Sequence, residues 1–181
     1  MGPGSITRNS LRPYVNEREQ PAIIIDTREQ DPWPFAGLPQ RIATLATGDY
    51  SLAGFESRVA VERKSKEDAY GCVGAGRRRF TDCLGRLAQL DRAAVVIECS
   101  LAAFSIPPAR TRIDARMAVG SYISWSCTYR IPVFWCENRD YAERVALRFL
   151  MAFVKHQGLI ASTLRTSLEN RNESRRSQLF V

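Results

Sequence analysis

Short apolar runs separated by turn-forming residues recur along the chain. Runs rich in Ile, Val and Leu that end at Gly, Pro or an acidic residue are typical of buried strands. The first is Ile23–Asp26, and a later run that starts at Val59 carries Glu62, Arg63 and Lys64 at its end. The pattern predicts strands at 23–26, 41–45, 50–52, 59–64, 94–98 and 132–135.

Apolar residues that recur every three or four positions predict amphipathic helices between these strands. One such stripe contains Phe80, Leu84 and Leu87, and the longest lies in the segment before Gly158. A glycine in that place favours the C-terminal end of a helix. The predicted helices are 66–73, 77–92, 101–104, 113–129 and 140–156.

Early strands followed by alternating strands and helices are typical of an α/β domain, in which a mixed central sheet is flanked by helices. A chain of 181 residues is long enough for one such domain. Residues 1–21 are polar and contain several prolines, which predicts a flexible N-terminal tail. The domain is predicted at 22–158, followed by a polar, basic C-terminal tail at 159–181.

The charge balance indicates a polyanionic partner. The formal net charge is +7 at neutral pH, and a basic surface on a small domain favours nucleic acid above other partners. No apolar stretch approaches the ~20 residues of a membrane span, so no membrane partner is expected. The N-terminus has no apolar signal core, which predicts a cytoplasmic protein.

Cysteine and histidine usage narrows the possible chemistry. The five cysteines form no CxxC pair, and His156 is the single histidine, so a zinc site has no plausible set of ligands. One histidine also disfavours Ser-His-Asp or Cys-His catalysis. If the chain is an enzyme, carboxylates, a lysine and a metal ion are the expected means.

Acidic residues stand at strand ends and turns: Asp26, Asp49 and Glu62. Lys64 lies two residues after Glu62, and alternate residues of a strand share a face, so Arg63 points the other way. Two carboxylates beside a lysine can bind Mg²⁺ or Mn²⁺, which prefer oxygen ligands and activate water. The alternative is that the Glu-x-Lys pair is an ordinary solvated strand face.

The sequence around these residues resembles the nuclease domain of the XPF family of structure-specific endonucleases. The family's signature is a Gly-Asp followed downstream by Glu-Arg-Lys, three arbitrary residues and Asp, and Gly48-Asp49, Glu62-Arg63-Lys64 and Asp68 fill it. The similarity extends over roughly residues 22–157. It includes the following further segments: 25–29, 76–77, 86–87, 94–98 and 129–133.

This resemblance implies a restriction-endonuclease-like fold of the PD-(D/E)XK type. It implies Mg²⁺- or Mn²⁺-dependent cleavage of DNA, at branched, flap or single-strand/double-strand junction substrates, in DNA repair or recombination. By position, Asp49 and Glu62 are similar to the metal ligands and Lys64 to the catalytic lysine. The residues similar to supporting groups of the site are Asp26 and Asp68 (acids), Arg63 (the signature arginine), and Arg28 and Glu29 (near the site or the substrate).

Arginines outside the signature are candidates for DNA phosphate contacts. Arg77, Arg78 and Arg79 open a predicted helix, where their positive charge opposes the helix dipole unless a phosphate is bound. A second basic patch contains Arg110, Arg112 and Arg116. For each of these residues, a solvated surface is the alternative interpretation. The tryptophans are interpreted as core or interface residues rather than as base-stacking groups.

The chain also departs from its relatives, which usually carry a tandem helix-hairpin-helix module after the nuclease domain. Too few residues follow His156 for that module, which predicts a stand-alone nuclease domain of a bacterial or phage type, associated with the nucleoid when active. Because relatives pair through this domain, a homodimer or an activating protein partner is expected. Two alternative functions stay open: a catalytically inactive DNA-binding or scaffold subunit, and a restriction-like nuclease with sequence preference.

Overall fold

The computed structural model describes residues 21–178, with side chains up to residue 158. Within these residues, strands β1 to β6 are Ile23–Asp26, Gln40–Ala43, Tyr50–Leu52, Val59–Lys64, Arg92–Ile97 and Val133–Trp135. Helices α1 to α5 are Lys66–Val73, Arg77–Leu87, Leu101–Phe104, Ala115–Tyr129 and Arg139–Gln178.

The strands form one mixed sheet in the order β2-β1-β3-β4-β5-β6. β1 is parallel to β2 and antiparallel to β3, β3 is antiparallel to β4, and β4, β5 and β6 are parallel. β1, β4 and β5 therefore run in the same direction, and β3 begins at the edge where they end. The ends of β1, β4 and β5 and the start of β3 meet at this edge, which brings Asp26, Asp49 and Glu62 close together.

Helices cover both faces of the sheet, and each face has its own hydrophobic core. On one face, Ala60, Val95 and Ile97 pack against residues of α1, α2 and α4. On the other face, Val61 and Val96 pack against α5 and the aromatic residues of the β1–β2 loop. The central strands are buried on both sides, which explains why β1 and β5 read as continuous apolar runs rather than as alternating patterns.

Local sequence signals account for where the helices begin. Ser65 caps α1 by accepting a hydrogen bond from the backbone N–H of Asp68. Asp114 caps α4 by accepting from the backbone N–H groups of Arg116 and Met117. A side-chain oxygen at this position satisfies N–H groups that have no partner within the helix, so both caps fix the direction in which their helix leaves the sheet.

The predicted α/β fold with a central mixed sheet is confirmed, and α1 and α3 have their predicted bounds. The predicted helix at 77–92 is too long. α2 ends at Leu87 because the chain must return to the sheet, where the backbone N–H of Arg92 donates to the carbonyl of Arg58 at 3.1 Å and β5 begins. The apolar spacing continues to Leu90, which packs against the core from the loop.

The predicted end of the last helix at Gly158 is wrong, because the backbone of α5 remains helical to Gln178. Gly158 does not have the positive φ of a C-terminal cap. A glycine inside a helix costs only about 1 kcal/mol relative to alanine, which does not by itself end a helix. The predicted N-terminal tail lies outside the described residues, apart from Pro21. Within the part of the chain that is described, no helix has the length and apolar character needed to span a membrane.

Candidate active site

Glu62 and Lys64 lie on the same face of strand β4, at its C-terminal end. Alternation along the strand places both side chains toward α1 and α2, in line with the buried Ala60. The Lys64 ammonium donates a hydrogen bond of 2.5 Å to Glu62 Oε1 and a second of 3.0 Å to the carbonyl of Arg63. Both side chains are largely buried, at 10% and 15% exposure, so the pair is only partly solvated.

A tight turn brings Asp49 beside this pair. Gly48 has a φ of +80°, and a Cβ at this position would lie 2.8 Å from the Cβ of Ala60, so only glycine fits. The backbone N–H of Asp49 donates to the carbonyl of Val61, and its own carbonyl accepts from the N–H of Asp26, both at 2.9 Å. The Gly-Asp of the signature is therefore fixed between β1 and β4 by its backbone.

The Asp49 carboxylate has one strong backbone donor. The N–H of Arg63 donates to Asp49 Oδ2 at 2.7 Å. This bond orients the carboxylate toward the face that carries Glu62 and Lys64, because the N–H belongs to the peptide that joins Glu62 to Arg63.

The electrostatics of the three groups are strongly coupled. Burial, and then the neighbouring charge of Glu62, raise the pKa of Asp49 to about 7. For Lys64, burial opposes the charged form, but the charges of Glu62 and Asp49 outweigh it and raise the pKa above its usual value. Lys64 is therefore a cation at every physiological pH, while the two carboxylates repel each other.

The three side chains line a cleft of about 300 Å³ between β4 and helix α2. Its rim is basic, with Arg28 from the loop after β1 and with Arg79 and Arg86 from α2. Its remaining walls are Ala46, Thr47, Gly48, Cys72, Phe80 and Cys83. A cleft with acidic groups inside and arginines around it is suited to a cation and a phosphate together.

Cys83 is the neighbour of Glu62 on the side away from Lys64. Its Sγ donates to Glu62 Oε2 at 3.5 Å. Burial, and then the charge of Glu62, raise the pKa of the Cys83 thiol to about 11, so it remains a protonated donor near neutral pH. The two oxygens of Glu62 thus have different partners, an ammonium and a thiol.

The residues of the cleft fit a hard divalent cation. Mg²⁺ is commonly held by one or two carboxylates, with water and substrate phosphate as the other ligands, and Asp49 and Glu62 supply that pair. Asp49 and Glu62 both line the cleft, where a divalent cation would offset both negative charges at once. Among the described residues, no group of three or more His, Cys, Asp and Glu side chains is gathered around a possible metal position, so the remaining ligands of a cation between Asp49 and Glu62 would have to be water and phosphate.

The structure places Asp26 at the edge of this site in a supporting position. Its buried carboxylate accepts hydrogen bonds from the backbone N–H and the guanidinium of Arg28, at 2.6 to 3.1 Å, and from the N–H of Leu45 at 2.7 Å. Burial opposes its charge, but these donors prevail and lower the pKa of Asp26. Asp26 therefore holds Arg28 against the loop that leads to Gly48, and it does not line the cleft.

Arg63 and Glu29 lie together on the opposite face of β4 from the cleft. The guanidinium of Arg63 forms two hydrogen bonds to Glu98, at 2.8 and 3.0 Å, and a contact of 3.2 Å to Glu29. Glu98 also accepts from Trp33 Nε1 at 2.7 Å and from Arg139 at 3.1 Å. These side chains form a charged cluster on the face of β4 opposite the cleft.

Asp68 stands apart from the cleft. It is exposed, and its carboxylate accepts from the Ser65 hydroxyl at 2.8 Å in a reciprocal cap of α1. Its role as a supporting acid stays a prediction.

The predicted DNA-contacting arginines separate into three groups. Arg79 lines the cleft. Arg77 lies over the ring of Trp125 at 4.9 Å and donates to Ser121 at 3.2 Å, while Arg78 is exposed. Arg110 and Arg112 are exposed in the segment between α3 and α4 and do not line the cleft. All of these contacts with DNA stay predictions.

Several residues of the site were missed by the sequence analysis. Glu98 could have been found, because it follows β5 directly and β5 is parallel to β4, with Ile97 paired to Lys64, so the backbone N–H of Glu98 meets the carbonyl of Lys64. The positions of Cys83 and Arg86 in the cleft follow from Arg79, which precedes them by four and seven residues on α2, spacings that share one helix face. Nothing in the sequence indicates that Arg139 contacts Glu98, because this contact depends on how α5 packs against the sheet.

The predicted packing role of the tryptophans is confirmed for Trp33 and Trp125, which are almost completely buried. Trp33 stacks on Tyr50 with ring centroids 4.6 Å apart. Trp135 is half-buried in an aromatic cluster with Phe104 and Tyr122.

Comparison with solved structures identifies the fold. Among the solved structures that share the fold are two of XPF from Aeropyrum pernix. The first, in complex with DNA, has a TM-score of 0.60 at 22% identity and covers 75% of this chain and 66% of that chain. The second has a TM-score of 0.56 at 21% identity and covers 72% and 59%. The chain thus spans about two thirds or less of these proteins, and no curated protein matches it significantly.

The match to a protein family covers more than half of the chain. The ERCC4 domain matches residues 25–149, which include β2 to β6 and every residue that lines the cleft. The chain therefore belongs to the ERCC4 domain family of nucleases, and its domain is an XPF-type nuclease domain with the restriction-endonuclease-like fold.

Proposed function

We propose that this chain is a DNA endonuclease that hydrolyses phosphodiester bonds with the help of Mg²⁺ or Mn²⁺. The observation that carries the proposal is the convergence of Asp49, Glu62 and Lys64 in one cleft whose rim is formed by arginines. All polar residues of the family signature that face the cleft are retained, which favours an active enzyme over an inactive scaffold subunit.

Asp49 and Glu62 would hold the cation. A divalent ion there supplies Lewis acidity to the phosphodiester and lowers the pKa of a water molecule to the range of neutral pH. The backbone N–H of Arg63 keeps the Asp49 carboxylate in the orientation required.

Lys64 provides fixed positive charge beside the reacting phosphate. Its ammonium is held by Glu62 and lies 5.6 Å from the ring centre of Phe80, so it is oriented before substrate arrives. Preoriented charge in a partly buried site stabilises the negative charge that develops on the phosphoryl oxygens. Lys64 can also orient the attacking water by donating its third proton, which is not used by Glu62 or by the carbonyl of Arg63.

The arginines at the rim would bind the phosphates on either side of the cleaved bond. Arg28 is fixed by Asp26 and by the carbonyl of Leu45, while its side chain remains 65% exposed. Arg79 and Arg86 approach from α2. The formal net charge of +7 supports a polyanionic substrate, and a solved relative of the same fold is a complex with DNA.

We infer branched, flap or single-strand/double-strand junction DNA as the substrate class from the resemblance to the XPF signature. The direct test is cleavage of end-labelled single-stranded, duplex, flap, fork and four-way DNA of one common sequence, each with Mg²⁺, Mn²⁺ or EDTA. The matched variant is Asp49→Asn, which keeps the volume of the side chain and removes its charge.

The expected result is cation-dependent cutting by the wild type, faster on branched substrates than on duplex, and lost in Asp49→Asn. Cutting that persists in purified Asp49→Asn protein would contradict the assigned site. Equal rates on branched DNA and on plain duplex would remove the structure preference. If duplex cutting also stopped when the sequence was changed, the restriction-like alternative would be favoured.

A further inference from the structure

The charged cluster on the face of β4 opposite the cleft joins three elements of the fold through one carboxylate. Arg63, Glu98 and Arg139 belong to β4, to the loop after β5 and to the first turn of α5. The side chains of Arg63 and Glu98 are only 12% and 11% exposed, so their charges depend on each other rather than on water. Arg139 adds a second cation to the same carboxylate at 3.1 Å.

Glu98 connects to β4 in two ways. Its backbone N–H donates to the carbonyl of Lys64 at 2.9 Å, and its carboxylate holds the guanidinium of Arg63 with two hydrogen bonds. The last two residues of β4 are therefore fixed by one neighbour, through the backbone of Lys64 and through the side chain of Arg63.

The same residue, Arg63, donates its backbone N–H to Asp49 in the cleft. In the pairing of β3 with β4, Tyr50 lies opposite Val61. Two residues further along β4, the backbone N–H of Arg63 binds the carboxylate of Asp49 instead of a backbone carbonyl of a neighbouring strand. The orientation of Asp49 thus depends on the backbone at Arg63. That backbone is restrained on the opposite face by the guanidinium of Arg63.

Arg139, in the first turn of α5, connects this cluster to the β1–β2 loop. It donates to Glu98 and also to the carbonyls of Asp31 and Pro32, at 2.6 and 3.0 Å. It therefore ties the β1–β2 loop, which carries Trp33 and Glu29, to the carboxylate that holds Arg63.

We propose that Glu98 and Arg139 are positioning residues that act through Arg63 to hold Asp49 in the geometry needed for cation binding. This inference rests on the proposed function, but its first test needs neither a cation nor a substrate. Groups that orient a metal ligand from behind commonly change metal affinity or activity roughly ten- to hundred-fold when they are removed.

The variants are Glu98→Gln, which keeps the volume and one acceptor oxygen, and Arg139→Ala, with Arg139→Lys as the conservative rescue. The matched control is Asp91→Asn. Asp91 accepts from Arg58 at 2.7 Å, and this pair links the starts of the same two strands, β4 and β5, at the end of the sheet far from the cleft. If Glu98→Gln does not fold, Arg139→Ala decides the question, because Arg139 is 33% exposed.

The first measurement is the amide proton chemical shift of Arg63 in isotope-labelled, cation-free protein. A short bond to a carboxylate moves this proton downfield. Glu98→Gln and Arg139→Ala are expected to shift it upfield, toward the value in Asp49→Asn, while Asp91→Asn leaves it in place and Arg139→Lys restores it in part. An unchanged Arg63 resonance in both Glu98→Gln and Arg139→Ala would overturn the proposal.

The second measurement is Mn²⁺ binding, followed by calorimetry, together with kcat and KM on a DNA substrate that the wild type cuts. Mn²⁺ affinity and kcat are expected to fall roughly ten- to hundred-fold, with KM for DNA unchanged. Loss of thermal stability with wild-type Mn²⁺ affinity would mean that the cluster is only structural. If the wild type itself binds Mn²⁺ no better than Asp49→Asn, the proposed function fails, and the Arg63 resonance still reports on positioning.

Discussion

Arg63 supports Asp49 with its backbone while its side chain points away from the cleft. The N–H of Arg63 donates to Asp49 Oδ2 at 2.7 Å, and the guanidinium lies on the opposite face of β4 against Glu98. The three consecutive residues Glu62, Arg63 and Lys64 therefore contribute to the cleft in different ways. The side chains of Glu62 and Lys64 line the cleft, and the backbone of Arg63 holds the carboxylate of Asp49.

Removal of the Lys64 charge should slow cleavage without weakening DNA binding. Lys64→Met keeps most of the side-chain volume and leaves Glu62 and Asp49 without their shared cation. Because fixed charge at the reacting phosphate acts mainly on the transition state, kcat is expected to fall by about 10²–10³, with little change in KM. Steady-state kinetics on a flap substrate measures both constants.

Lys64→Arg serves as the control, since it restores the charge but not the compact ammonium that fits between Glu62 and the carbonyl of Arg63. We expect it to recover only part of the rate. A kcat of Lys64→Met within two-fold of the wild type would exclude Lys64 from the chemistry. Circular dichroism on each variant separates this outcome from loss of folding.

The sequence was sufficient for the parts of the site that depend on local spacing. Alternation placed Glu62 and Lys64 on one face of a strand, and the glycine turn placed Asp49 at a strand start. Short-range periodicity also located most strands and helices, because the central strands are apolar on both sides and the helices carry clear stripes.

Long-range contacts account for what the sequence did not reveal. The resemblance implied that Asp26 is a supporting acid, but its partners, Arg28 and the N–H of Leu45, are defined only by the fold. Arg139 is distant in sequence from Glu98, and its contact depends on where α5 docks. The end of α2 was misplaced because Leu90 continues the stripe after the chain has left the helix.

Gly48 should be among the residues least tolerant of substitution. Gly48→Ala forces a positive φ on alanine and brings its Cβ to 2.8 Å from Ala60 and 3.2 Å from the carbonyl of Val61. Gly54→Ala is a matched control, because Gly54 has a φ of +81° and an added Cβ there would meet no atom within 4 Å. Both lose stability from backbone strain, and Gly48→Ala is expected to lose roughly 1–3 kcal/mol more from the clash.

Urea unfolding of the two glycine variants measures this difference. Gly48→Ala should also lose cleavage at temperatures where it remains folded, since the turn that it distorts carries Asp49. Equal free energies of unfolding for the two variants would show that the close approach at Ala60 relaxes without cost.

Arg79 and Arg86 should contribute to DNA affinity, whereas Arg78 should not. Arg79 and Arg86 line the cleft, and Arg78 is exposed on the same helix outside it. In an Asp49→Asn background, which prevents cutting, Arg79→Ala and Arg86→Ala are each expected to weaken DNA binding by about ten-fold at low salt. Each should also reduce the salt dependence of the binding constant by about one phosphate contact.

Fluorescence anisotropy over a range of NaCl concentrations measures both effects. Arg78→Ala is the control for the change in net charge alone. If all three variants lower the affinity equally, the arginines act as a diffuse basic surface and the cleft does not define the path of the DNA.

Asp26 should make the stability of the protein sensitive to acid. Its pKa is lowered in the folded state, because the donors Arg28 and Leu45 outweigh its burial. A carboxyl group with a depressed folded pKa contributes stability that is present above its unfolded pKa, near 3.9, and is lost as the pH falls through the folded pKa. At pH 7 we expect Asp26→Asn to be less stable than the wild type by about 1.5–3 kcal/mol, the range for hydrogen bonds to a charged group.

The stability difference between wild type and Asp26→Asn should therefore be constant from pH 7 to pH 5 and shrink as the pH falls below about 4. Asp82→Asn, on the exposed side of α2, is the control for removing a surface carboxylate. Urea unfolding at pH 7, 5 and 3.5 supplies the comparison. A difference that does not change with pH would mean that Asp26 acts through its shape rather than its charge. In that case Arg28 would be held chiefly by the carbonyl of Leu45, to which it donates at 2.9 Å.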